Sequence, residues 1–324
     1  MGVNPSAREM LGAYALDAVD ADEIAVLDEL VAHDADAARE LERLRAAAAW
    51  IGATEAIEPP SDLRAQLLAQ ARPVSEDLRV YRMAVARHEE LLDDLPEDAL
   101  GLPTANGLAV GELVVHLASM ETAVAETVGL EVTVTDETDV DARTARYLDA
   151  LGPDPVAGRA VWRVAAESLD AWAAAGGTTG GFPWQGTFDV ERRTLLAARA
   201  FELWTHDDDI RVALGRERLT PTTPELALMS DIAVGILPFC LLAKGEQVSA
   251  SAHVVLTGDG GGEWDVSLDG EERPETSVTL TMDVVDFCRL VADRLDPATC
   301  DATIDGDEAL GRTLVGCAAA LATL

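Results

Sequence analysis

The stretch ARAFELWTHDDDIRVALG, residues 198–215, lies inside a helical pattern that runs from Val190 to Ala213. Glu202 and His206 stand four positions apart, so on a helix their side chains project side by side, one turn from each other. Such a pair has two readings. It is an i,i+4 couple on a solvated face, or, with a third donor from a facing helix, it is part of a metal site. Three aspartates follow, Asp207, Asp208 and Asp209. One of them can orient the histidine from behind, and solvation is the expectation for at least two.

The third donor is found in VGELVVHLASMET, residues 110–122, where His116 sits among Leu113, Val114, Val115 and Leu117. Alone, this histidine reads as a core residue with a hydrogen-bond partner. Together, His116, Glu202 and His206 offer two imidazoles and a carboxylate, which leaves at least one coordination position open. That is the donor set of a catalytic zinc site, and it also serves non-haem Fe(II).

The surrounding texture is consistent with a bundle. Helical patterns run near Glu76–Leu95, Ala109–Thr127, Asp139–Ala150, Val156–Ala175, Val190–Ala213 and Pro224–Lys244. Between two of them, GGTTGGFPWQGTF, residues 176–188, reads as a flexible linker whose aromatic end, Phe182 and Trp184, packs on the bundle or lines a pocket. After Gln247 the period changes to that of strands: SASAHVVLTG, EWDVSL and TSVTLTM alternate, with GDGGG and Asp269-Gly270 as turns, and are expected to pair antiparallel. A helix at Val284–Leu295, a strand at Asp301–Ile304 and a helix at Glu308–Ala322 complete a small α+β domain. Before Pro73 the chain is rich in Ala, Leu, Glu and Arg in four helical segments. Asp20 and Glu23 have capping-box spacing there, and Pro59-Pro60 separates a last helix over Ser61–Ala71. The expected organisation is a helical module over 1–72, a bundle over 73–246 and an α+β domain over 247–324.

The chain has 324 residues, 48% of them hydrophobic, enough for several buried cores. Lys+Arg 24 against Asp+Glu 59 gives a formal charge of −35, which repels phosphate backbones and anionic membranes and argues against nucleic acid as a partner. No basic segment with an apolar core and cleavage site opens the sequence, so no signal peptide is expected. The apolar run IAVGILPFCLLA, residues 232–243, is too short for a bilayer and carries Pro238. Cys240, Cys288, Cys300 and Cys317 lack a C-x-x-C spacing and read as packed, reduced thiols in a cytoplasmic protein.

LPTANGLAVGELVVHLASME, FPWQGTF and ARAFELWTHDDDIRVALG resemble the mycothiol-dependent maleylpyruvate isomerase and DinB-like thiol-transferase families. Their motifs there are a Leu-x-x-His-Leu metal helix, a Pro-Trp loop and a Glu-x-x-x-His-x-x-Asp helix. WDVSL, DFCRLVADRL and IDGD look like the sterol-carrier-like appendage of the same group, so the resemblance covers roughly residues 73–324. It departs at Gly107-Leu108, where the family has Gly-Trp. The resemblance implies a DinB-like four-helix bundle with metal ligands His116, Glu202 and His206. It further implies zinc or another divalent ion, mycothiol as thiol cosubstrate, and maleylpyruvate-like or other electrophilic small molecules as acceptors, by isomerisation or S-transfer. A thiol deprotonated on an open-site ion is a nucleophile at neutral pH without a protein cysteine. Asp209, Trp184 and Arg82 are candidates for supporting the ligands or the substrate, with Arg87 and Arg199 as further cations on bundle helices. LGAYALDAVDADE and the helix after it resemble the N-terminal domain of anti-sigma-K-type factors, in a zinc-free version, since no cysteine precedes Cys240. That resemblance implies an alternative: a regulator whose residues 1–72 bind a sigma factor, with the bundle sensing thiol or metal.

Overall fold

The structure, a computed structural model, describes residues 8, 10–16, 18–55, 74–131, 134–183, 187–271 and 273–319. The chain divides into two compact units, Met1–Pro73 and Val74–Leu324. In the first, α1 (Leu11–Ala15), α2 (Ala21–His33) and α3 (Ala35–Glu55) close on Leu11, Leu27, Leu30, Ala37 and Leu41. The capping box at the start of α2 forms, with the Asp20 N–H donating to the Glu23 carboxylate at 2.9 Å. The helix expected at Ser61–Ala71 and the Pro59-Pro60 pair lie outside the described residues.

The second unit begins with α4 (Glu76–Asp93), α5 (Val110–Thr127), α6 (Val140–Leu151) and α7 (Pro155–Ala174). Asp139 caps α6 by accepting the Ala142 N–H at 2.9 Å, and Asp154 caps α7 with Pro155 in the first turn, where its missing N–H costs nothing. Small residues let α5 and α7 approach closely: a Cβ on Gly158 of α7 would stand 3.1 Å from Val115 Cγ2, the residue next to His116.

The described part of residues 176–188 is not a free linker, though its Phe182 packs on the bundle core as the sequence suggests. These residues enter a hairpin, β1 (Thr179–Pro183) with β2 (Thr187–Glu191), in which Phe182 faces Phe188. The glycine content reflects close approach more than flexibility. A Cβ on Gly180 would meet Leu195 Cδ2 at 2.7 Å, and Gly181 donates its N–H to Thr127 Oγ1 at 2.9 Å. Trp184 lies outside the described residues.

The chain then forms α8 (Arg192–Ala213), which packs against α4 and completes the bundle. Val80 and Ala84 of α4, Leu117 of α5, Trp162 and Ala166 of α7 and Ala200 and Leu203 of α8 share one core. The helix expected at Pro224–Lys244 is two, α9 (Thr223–Gly235) and α10 (Leu237–Ala243), bent by 44° at Ile236. Pro238 removes a backbone donor where a continuous helix would need one. Among the described residues no single helix is long and apolar enough to cross a membrane.

The remaining elements are β3 (Ser251–Thr257), β4 (Gly262–Ser267), β5 (Val278–Asp283), α11 (Val284–Val291), β6 (Thr303–Gly306) and α12 (Glu308–Ala318). The sheet order is β4-β3-β5-β6. Its outer pairs are antiparallel, but β3 and β5 run parallel with Val254 opposite Leu280, which corrects the expectation of antiparallel pairing throughout. Strand alternation is the same for both pairings, so it fixes the buried face and not the direction of the neighbour. The protein is thus mainly helical with a small α+β portion. Phe201 and Trp204 of α8 and Leu226 and Met229 of α9 join Val254, Leu280 and Phe287 in a single core that runs across residues 246–247.

Because that core belongs to helices and sheet together, Phe287→Ala should cost about 3–5 kcal/mol. It should move the unfolding of both portions by the same amount. Denaturant titration followed by tryptophan fluorescence and far-UV circular dichroism checks this; separate transitions for helices and sheet would contradict it.

Candidate metal centre

Helix α8 turns about 100° per residue, so three consecutive side chains fan across most of its circumference. Asp207, Asp208 and Asp209 are nevertheless all buried, which corrects the expectation of solvation for two of them. Each finds a different partner. Asp207 accepts from His88 Nδ1 at 2.6 Å and lies 3.6 Å from Arg87 Nε, both on α4. Asp208 accepts from Arg218 Nη1 at 2.6 Å and from the Leu219 N–H at 2.8 Å, both between α8 and α9. Asp209 accepts from Arg294 Nε and Nη2, each at 2.7 Å, and from His206 Nδ1 at 3.0 Å. Arg294 is aimed by the end of α11, where Asp293 takes a left-handed φ of 55° and the Arg294 N–H closes back on Arg289 O at 2.7 Å.

On α8, facing α5, the structure brings His116, Glu202 and His206 together. One donor atom from each lies within 4.8 Å of the other two, and among the described residues this is the one such group of three His, Cys, Asp or Glu side chains. The imidazole rings stand edge to face with centroids 5.2 Å apart. His116 Nε2 is 3.8 Å from Glu202 Oε1, an oxygen that is buried and has no hydrogen-bond partner. The outer nitrogens are already engaged: His116 Nδ1 lies 2.8 Å from Thr144 Oγ1 of α6, and His206 Nδ1 lies against Asp209. Protons on both Nδ1 atoms leave both Nε2 lone pairs for a cation. Side-chain exposures of 12% for His116, 23% for Glu202 and 11% for His206 leave an edge of the cluster open to solvent.

The electrostatics suit a cation. Burial, reinforced by His206 and only partly opposed by Glu202, lowers the His116 pKa to about 4, so the ring is neutral at pH 7. Burial pushes the Glu202 carboxyl up, but Arg199, His116 and His206 outweigh it and hold the group below its usual range, hence ionised. For Asp209, burial is likewise outweighed by Arg294 and His206. The neutral His116 ring, the imidazole of His206 and a carboxylate whose Oε1 is buried and unpartnered fit a divalent ion.

The other candidates fall elsewhere. Arg82 donates Nη2 to Asp170 at 3.0 Å and lines a groove of about 520 Å³ between α4 and α7 that includes none of the three donors. Arg87 pairs with Asp207 and Glu225. Arg199 is at the centre, bonded to Glu121 and Glu202. Thr144, Glu121 and Arg294 were invisible to pattern reading because each sits on a different element from the ligand it supports. His88 had a signal, since a lone histidine in the apolar pattern of α4 requires a buried partner.

No family model and no curated protein matches the sequence. Among solved structures, a crystal structure of mycothiol-dependent maleylpyruvate isomerase is similar at 16% identity, covering 73% of this chain and 94% of that one, with a TM-score of 0.48. A point mutant of a mycothiol-dependent maleylpyruvate isomerase gives 14%, 72%, 94% and 0.48.

His116 also sets a pH dependence. Between its unfolded value of 6.5 and its folded value of about 4, the unfolded chain binds a proton that the folded chain refuses. Stability from this residue is therefore complete above pH 6.5 and is lost as the pH falls toward 4, by about 3 kcal/mol. In chelator-stripped protein, the stability difference between parent and His116→Gln should shift by that amount, against the parent, from pH 7.5 to 4. A difference that stays constant across this range would contradict the assignment.

Proposed function

We propose that this protein is a divalent-metal-dependent enzyme that uses a low-molecular-weight thiol to act on small electrophilic substrates. The observation that carries the reading is the convergence of His116, Glu202 and His206 with both outer imidazole nitrogens already engaged and Glu202 Oε1 unpartnered. Zinc is the metal the donor set suits best, and two imidazoles with one carboxylate leave room for a further ligand. A bound ion of this kind lowers the pKa of a coordinated thiol and so supplies a sulfur nucleophile at neutral pH.

The chain's own residues would do the rest. His116 and His206 present Nε2, and Thr144 and Asp209 fix the ring orientations from behind. Arg294 keeps Asp209 charged, and Arg199 does the same for Glu202. Leu113, Val115 and Leu117, the neighbours of His116 along its helix, are fully buried and anchor that helix in the bundle. None of the four cysteines belongs to the donor cluster, which is in keeping with a nucleophile brought in by a cosubstrate.

The motif resemblance of the His116 and Glu202–His206 helices supports mycothiol as the thiol and maleylpyruvate-like acids as acceptors, with reversible thiol addition to an activated double bond permitting cis–trans rotation. S-transfer to another electrophile uses the same groups. The site would work in a cytoplasmic setting, where the thiols stay reduced. No observation on the first unit favours the sigma-factor reading.

Zinc-loaded protein given mycothiol and maleylpyruvate should turn the substrate over, as followed by ultraviolet absorbance. Omitting the thiol, adding a chelator or introducing His206→Ala should each reduce the rate to background. Turnover that survives both chelation and omission of the thiol would refute the proposal.

A further inference from the structure

The two oxygens of Glu202 are not equivalent. Oε2 accepts a hydrogen bond from Arg199 Nη1, whereas Oε1 faces His116 and has no hydrogen-bond partner. Arg199 is itself fixed. Its Nε donates to Glu121 Oε2 at 3.1 Å, and Glu121 Oε1 accepts from the Tyr81 hydroxyl. Tyr81, Glu121 and Arg199 are at most 2% exposed, and they come from α4, α5 and α8, so three helices hold one guanidinium in place.

Arg199 helps keep Glu202 ionised, but that alone does not explain why the guanidinium takes one oxygen and leaves the other. Arg199 Nη2 is buried without a hydrogen-bond partner, a deficit that a well-packed apolar residue would not carry. A fixed positive charge beside a cation site also repels the ion, so Arg199 weakens the attraction that Glu202 supplies. What the contact does provide is selection between the oxygens. A carboxylate with both oxygens free can chelate a metal through both, whereas one with an oxygen held by a buried guanidinium offers a single donor.

We propose that Arg199, held by Glu121 and Tyr81, is a positioning residue that limits Glu202 to one-oxygen ligation through Oε1 and so keeps a coordination position free for the incoming thiol. This rests on the metal-dependent reading above. Its consequence is specific: without Arg199 the ion still binds, but Glu202 closes on it with both oxygens, adding a donor that raises the coordination number and crowds the position the thiol would take.

The test uses full-length protein and metal alone. A crystal structure of the zinc-loaded parent should show Glu202 bound through Oε1 with Oε2 on Arg199; a carboxylate bound through both oxygens overturns the proposal without any variant. In solution, stripped parent reloaded with Co²⁺ should take one ion per chain and show the intense visible absorption of a four-coordinate site. Arg199→Gln should still take one ion but lose most of that intensity as the coordination number rises. Removing a buried cation can unfold the chain, so Glu121→Gln/Arg199→Gln, which removes one charge of each sign, is read in parallel and should show the same loss. Parent-like spectra in a variant that holds one Co²⁺ overturn the inference, whereas a parent that takes up no cobalt overturns the metal reading instead.

Discussion

Helix α8 is buried over most of its circumference, and a helix in that position must provide each of its polar side chains with a partner. Asp207 is answered from α4, Asp208 from the segment before α9, and Asp209 from Arg294 beyond α11. Its apolar residues are divided in the same way. Ala200 and Leu203 join the bundle core, and Phe201 and Trp204 join the core shared with the sheet. The charges and the packing therefore tie the bundle and the α+β portion to one helix. That helix carries two of the three candidate ligands.

The same enclosure gives the site its chemistry. In surroundings that exclude water, a carboxylate stays charged only beside a cation, and an imidazole charges only with difficulty. Glu202 has Arg199 and remains ionised, while His116, beside His206 and only partly compensated by Glu202, is neutral at pH 7. Burial thus keeps His116 neutral and Arg199 keeps Glu202 ionised, the states in which both can hold a cation. The outer contacts from Thr144, Asp209 and Arg294 draw on α6 and on the chain after α11, so the geometry of the cluster depends on elements far from it in sequence.

Much of this was legible in the residues. The Glu202–His206 spacing put two donors on one face because helical periodicity fixes which side chains share a face, and the motif resemblance of the His116 helix joined the third to them. The Asp20–Glu23 capping box was equally local, and it formed. The misreadings have a common cause in contacts between distant elements. Three adjacent aspartates look solvated until Arg87 and His88 of α4, Arg218 before α9 and Arg294 beyond α11 come against them. The glycines of residues 176–181 look flexible until Leu195 and Val128 press against Gly180. Alternation in β3 and β5 is blind to strand direction, and Pro224–Lys244 reads as one helix although Pro238 allows two.

The central claim is that His116, Glu202 and His206 hold one divalent ion, and elemental analysis of the purified protein tests it most directly. The account predicts about one zinc or similar ion per chain in the parent and none in a His116→Ala, His206→Ala double variant that remains folded. A parent that is still empty after incubation with zinc, or a double variant that retains its ion, would contradict it.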